Sequence, residues 1–92
     1  MKDKKLLKLV AFVLSSTYRK KVMEVLHEYN ITTPSKISKA CQFPSNQSSN
    51  ILRILSEKGL VECLNPEVHK GRLYYLTGLG EEVYQHLDDI KV

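Results

Sequence analysis

Tryptophan is absent, and the 92 residues hold only two cysteines, two phenylalanines, three prolines and four glycines. Each shortage excludes something. Two cysteines, Cys41 and Cys63, cannot build a disulfide framework, which points to a reducing, cytoplasmic setting. So few glycines and prolines exclude a flexible linker or a collagen-like repeat. The longest unbroken apolar stretch runs only from Leu9 to Leu14, far short of the ~20 residues that span a bilayer. Residues 1–16 have the rough profile of a secretory signal, but Asp3 sits in the would-be basic region, Lys8 interrupts the apolar run and no small-residue cleavage pattern follows. They read as a packing helix, with no membrane partner expected. No P-loop, Gly-rich dinucleotide turn or nucleophile–base pair is present. No C-x2-C or H-x3-H spacing supports a metal site, even with His69 added to the cysteines. The expectation is therefore a protein with no enzyme activity, no cofactor and no metal.

What is present is an ordinary globular balance, 42% hydrophobic and 26% charged, in a chain sized for one small domain. The net charge is +4, and it is unevenly placed. Residues 1–80 carry thirteen Lys and Arg against six acids. Residues 81–92 carry Glu81, Glu82, Asp88 and Asp89 against Lys91 alone. A basic body with an acidic end suits a polyanion partner for the body and a separate task for the end.

Hydrophobic periodicity organises the chain. Leu6, Leu7, Leu9, Val10 and the residues to Leu14 predict a helix over 4–14, apolar on more than one face and so covered on two sides. Ser15, Ser16 and Thr17 offer caps for a second helix, striped by Val22, Val25, Leu26 and Tyr29. Asn30 suits the left-handed position that ends it. Ile31-Thr32 can form a very short strand. Thr33-Pro34 is a strong helix start, an N-cap followed by proline where its missing N–H costs nothing. Ile37, Ala40 and Cys41 face inward before Phe43-Pro44 ends that helix. Ser45 can cap the next one, which runs to Lys58 and stops at Gly59. The period then changes to two over Leu60–Leu64 and again over Arg72–Thr77, with a turn between, so a hairpin is expected. Thr77 caps a last helix over 78–90.

Helix, short turn, helix and hairpin make a winged helix-turn-helix. The expected fold is mostly α with a small β hairpin (α+β), with extra N- and C-terminal helices. The whole of 1–92 forms one domain: helix-turn-helix 33–58, wing 60–77, terminal helices 4–14 and 78–90. In this arrangement the second helix enters the DNA major groove while the first holds it across the backbone. The front of helix 45–58 offers Asn46, Gln47, Ser49, Asn50 and Arg53, groups that read base edges. No acid precedes Glu57 to repel phosphate. His69, Lys70 and Arg72 surround Gly71 at the wing tip. Arg19 and Lys20 stand at a helix N-terminus, where phosphate is favoured, and Lys36 and Lys39 can reach backbone phosphate.

T-P-S-x-I-(x)2-A at 33–40, the polar helix 45–58, E-K-G-L-V-E-C-L at 57–64, K-G-R-L-Y-Y-L-T at 70–77 and L-S-S-x-Y-R at 14–19 resemble archaeal winged-helix transcriptional regulators of the ArsR/MarR-like group. The resemblance implies sequence-specific binding of double-stranded DNA by a homodimer, with helix 45–58 as reader and the hairpin as wing. The chain departs from the group in two places. Gln42 stands where glycine is common, and the cysteine cluster of metal-sensing relatives is absent. No effector is legible.

Blander readings stand beside these. The amide face can be a solvated helix surface, and Arg72 an exposed strand residue near Glu62 or Glu67. Cys41 reads as a buried, inert thiol and His27 as structural. Of Tyr74 and Tyr75, one packs on the core. Leu6, Leu7, Val10, Leu79, Val83, Leu87 and Ile90 are the expected dimer interface, unless one monomer's core uses them all. Two further functions remain open: a winged-helix module that binds protein, and a charge-driven non-specific nucleic-acid binder.

Overall fold

Residues 4–87 are described by the structure, a computed structural model. Eight elements follow one another: α1 (Lys4–Leu14), α2 (Thr17–Tyr29), β1 (Ile31–Thr32), α3 (Pro34–Cys41), α4 (Ser45–Glu57), β2 (Val61–Cys63), β3 (Tyr74–Leu76) and α5 (Gly78–Leu87). This is a winged helix-turn-helix with helices added at both ends, as the periodicity predicts.

Local chemistry sets most boundaries. The Ser16 hydroxyl accepts the Arg19 N–H at the head of α2, and the Thr33 hydroxyl accepts that of Lys36 at the head of α3. Asn30 and Gln42 close their helices at φ 66° and 60°. Gln42 holds left-handed geometry without being glycine, and its N–H closes onto the Ser38 carbonyl. The head of α4 differs from expectation. Pro44 is its N-cap and no side chain caps it, so Ser45 is the first helical residue rather than the cap. Thr77 does cap α5: its hydroxyl accepts the Gly80 N–H at 3.0 Å and donates to the Gly59 carbonyl at 2.6 Å.

The hairpin strands are shorter than the alternation suggests, three residues each. They belong to a three-stranded antiparallel sheet in the order β1-β3-β2. Ile31 lies opposite Tyr75 and Thr32 opposite Tyr74. Val61, Glu62 and Cys63 face Leu76, Tyr75 and Tyr74 on the other side of β3. Tyr74 packs against the core, whereas the Tyr75 hydroxyl donates to Glu62 at 2.8 Å on the outer face.

One core runs through the molecule. α2 lies at its centre, packed on α1, α3, α4, α5 and the sheet. Met23, which the apolar stripe of α2 omits, is fully buried beside Val22 and Leu26. α1 buries Leu6, Leu9, Val10 and Val13 on one face while Leu7 and Ala11 stay exposed, so it is covered on one side, not two. Leu6, Val10, Val83 and Leu87 are all buried within a single chain, because α1 packs directly on α5. These four side chains thus fit the reading in which one monomer's own core uses them. Leu7 is exposed, Leu79 half-buried, and Ile90 lies outside the described residues. No described helix is long and apolar enough to cross a membrane.

Candidate nucleic-acid interface

α4 is anchored from behind and open in front. Its inward face buries Ile51, Leu52 and Leu55. Ser48 continues that face toward α3, where its hydroxyl meets that of Ser38 at 2.7 Å, both residues buried. With the helix fixed this way, Asn46, Ser49, Asn50 and Arg53 are exposed and Gln47 half-buried. These are the five residues that helical spacing places on the front of α4, and all five line one depression beside the start of α2.

The links among them are not legible in the sequence. Arg53 donates to the Asn50 side-chain oxygen at 2.6 Å and to Glu57 at 3.1 Å. The guanidinium is held over the exposed helix surface as the centre of a three-residue string. The same contact engages the Asn50 side-chain oxygen as an acceptor. Both ends of the Arg53–Glu57 pair are largely exposed, so the contact is weak and open to exchange for a ligand.

A groove flanks α4 on each side. The first lies between α4 and the wing. Ser45, Ser49 and Arg53 line it from α4 and His69, Lys70 and Arg72 from the wing, with Thr33 and Pro34 at the head of α3. The second lies between α4 and the start of α2, where Tyr18 and Arg19 face Asn46, Gln47 and Asn50. Tyr18 is absent from the sequence-based site. It is exposed, and its ring meets Phe43 edge-on at 5.1 Å.

The cations divide into three groups. His69 and Lys70 are exposed on the wing, as expected. Arg72 is half-buried and tied inward, donating to the carbonyls of Val68 at 2.6 Å and Pro66 at 3.3 Å. It pairs with neither Glu62 nor Glu67 and clasps the wing loop instead. Asn65 completes the clasp: its side chain donates to the Gly71 carbonyl and accepts the Leu73 N–H. Gly71 sits at φ 73° at the tip. Asn65 carried no sequence signal beyond being a turn residue.

Arg19 is also anchored. It donates to the Phe12 carbonyl and the Ser15 hydroxyl at 2.9 and 2.8 Å, and lies 4.1 Å over the Phe12 ring. Its first task is to join α1 to α2. Lys20 lines neither groove. Lys36 and Lys39 are exposed but lie away from both grooves, beside Tyr29 and Ile31. The helical repeat of α3 turns Lys36 away from Ser38 and so from α4, which separates these two lysines from the reading face.

No His, Cys, Asp or Glu cluster among the described residues could hold a metal ion. Cys41 and Cys63 are both free thiols. Burial pushes the Cys41 thiol up, with Lys21 opposing the shift, which fits an unreactive core-edge cysteine. His27 stacks on Tyr84 at 4.2 Å and sits 3.3 Å from Glu81, joining α2 to α5.

No protein-family model and no curated protein matches the chain. Solved structures do. A MarR family transcription regulator superposes with a TM-score of 0.72 at 25% identity, over 80% of this chain and 50% of that one. A mutant MarR from E. coli complexed with operator DNA gives 0.74 at 24% identity, over 95% and 63%. NadR in complex with 4-hydroxyphenylacetate gives 0.71 at 20% identity, over 91% and 63%. The chain thus spans less than two thirds of the length of each of these proteins. They share its winged helix-turn-helix fold.

Proposed function

We propose that this chain is a MarR-like transcriptional regulator that binds double-stranded DNA sequence-specifically, α4 entering the major groove and the 60–77 hairpin lying along the backbone as the wing. The observation that carries this is the composition of the front of α4. An exposed face of amides, hydroxyls and one guanidinium stands on a rigidly seated helix, with no acid before Glu57. Such groups pair with base edges, and amides pair bidentately with adenine. The likeness to a MarR bound to its operator supports the same placement. A binder acting through charge alone would carry Lys and Arg on this face instead.

The regulator acts as a homodimer on a nearly palindromic operator, two α4 helices lying about one DNA turn apart. With the apolar faces of α1 and α5 enclosed, the surface left for pairing on the terminal helices is Leu7 and its exposed neighbours on α1, with whatever residues 88–92 add. The role is binding rather than catalysis.

The test is selection of binding sites from a random duplex pool. The expected result is an enriched two-fold sequence, bound far more tightly than bulk DNA at moderate salt. Enrichment of no sequence, with affinity tracking only salt and length, would overturn the reading.

A further inference from the structure

The two lysines that α3 turns away from the reading face belong to a different surface. Tyr29 and Ile31 flank Asn30, whose φ is 66°, and are 50% and 49% exposed. They stand beside Lys36, Lys39 and Ala40 around a concavity of about 550 Å³. No acidic side chain lines it, and neither lysine makes an ion pair among the described residues. Lys36 and Lys39 are one helical turn apart on one face of α3, so their charges lie side by side. Two large apolar side chains left half in water here adjoin two unpaired cations, a mixed surface that suits an occupant both apolar and acidic.

The geometry favours an extended occupant. β1 forms the edge of the sheet, with β3 on one side and no described strand on the other. An extended chain can lie along such an edge, using main-chain hydrogen bonds for affinity and alternate side chains for selectivity. The depression is shallow and its apolar walls are half-exposed. A small molecule, which needs most of its surface enclosed, is poorly served by it.

We propose that this face docks an extended acidic segment of a protein partner, one apolar side chain resting between Tyr29 and Ile31 and flanking carboxylates meeting Lys36 and Lys39. Because neither α4 groove contributes to it, the face stays free while the grooves are occupied. The inference does not depend on the DNA-binding reading.

The probe is a synthetic peptide alternating Asp or Glu with Leu and Phe, titrated into the isotope-labelled chain and followed by amide NMR shifts. Saturable shifts are expected at residues 29–32, 36, 39 and 40. Lys36→Glu with Lys39→Glu should weaken binding about tenfold or more, since opposed charge becomes like charge, and Ile31→Ser should weaken it with the lysines intact. Shifts in the double variant's own spectrum confined to α3 show that it is folded. A peptide with Lys in place of its acids should not bind. Shifts centred on the α4 grooves, binding unaffected by the double lysine change, or phenylacetate saturating the same residues as tightly as the peptide would each overturn the proposal.

Discussion

The hydroxyls of Ser38 and Ser48 meet at 2.7 Å inside the contact between α3 and α4, both shut off from solvent. Each satisfies the other. Ser48→Ala leaves the Ser38 hydroxyl buried and unpartnered, which costs about 1–3 kcal/mol. The double change Ser38→Ala with Ser48→Ala removes both polar groups and should cost less than the sum of the single changes. Urea unfolding of the three variants reads this directly; strictly additive costs would show that the hydroxyls do not depend on one another.

Asn50 and Arg53 form the exposed part of the reading helix. Asn50→Ala should lose about 1–3 kcal/mol of preference for the selected site while non-specific affinity stays. It also frees Arg53, which the asparagine oxygen holds at 2.6 Å, so Arg53→Ala should be partly redundant with it. Competition binding against mismatched duplexes, with both singles and the double, measures this coupling.

Arg72 and Asn65 shape the wing from within. Arg72→Ala removes the hydrogen bonds to the Val68 and Pro66 carbonyls, contacts worth roughly 1–3 kcal/mol for a charged donor. Hydrogen exchange at residues 65–73 should accelerate while that of α2 stays unchanged. Affinity for all DNA sequences should fall together, because a loosened wing can no longer hold His69 and Lys70 along the backbone.

At Gly80 there is no room for a side chain. A Cβ there would collide with the Leu60 carbonyl. Gly80→Ala should destabilise the chain by about 1–3 kcal/mol or more, seen as a lowered thermal midpoint, whereas Gly78→Ala meets open space and should leave the midpoint nearly unchanged.

Tyr75 titrates late. Its hydrogen bond to Glu62 raises the phenol above its usual value of 10.0. A raised folded value means that the contact is intact below pH 10.0 and is lost as pH rises through the higher folded value. Tyrosinate absorbance should therefore show one late component that disappears in Tyr75→Phe.

The elements whose signals lie within a few neighbouring residues were legible in the sequence. Thr33-Pro34, Asn30 and the change of period after Gly59 each act locally, and each marks a boundary that the structure shares. The exposed face of α4 was legible for the same reason, since helical spacing alone sorts it. What the sequence hid depends on distant partners. Lys36 and Lys39 look like phosphate contacts until the packing of α3 turns them toward Tyr29. Arg19 looks free until Phe12 comes beneath it. Met23 falls off the counted stripe, yet α2 is enclosed on several sides, so burial there follows the neighbours rather than the period. The apolar residues of α1 and α5 fit two partners equally well on paper, and only their mutual contact shows that one chain satisfies both.

That contact also bears on the order in which the chain can fold. α1 rests on α5, at the far end of the described residues. β1 pairs with β3 and not with a sequence neighbour. The α3–α4 pair is local and can form early, but both ends of the fold wait on residues far along the chain. A ribosome-bound chain emerged only as far as Gly59 would hold α1 without α5 against it. Docking of α1 during synthesis therefore waits until α5 has emerged.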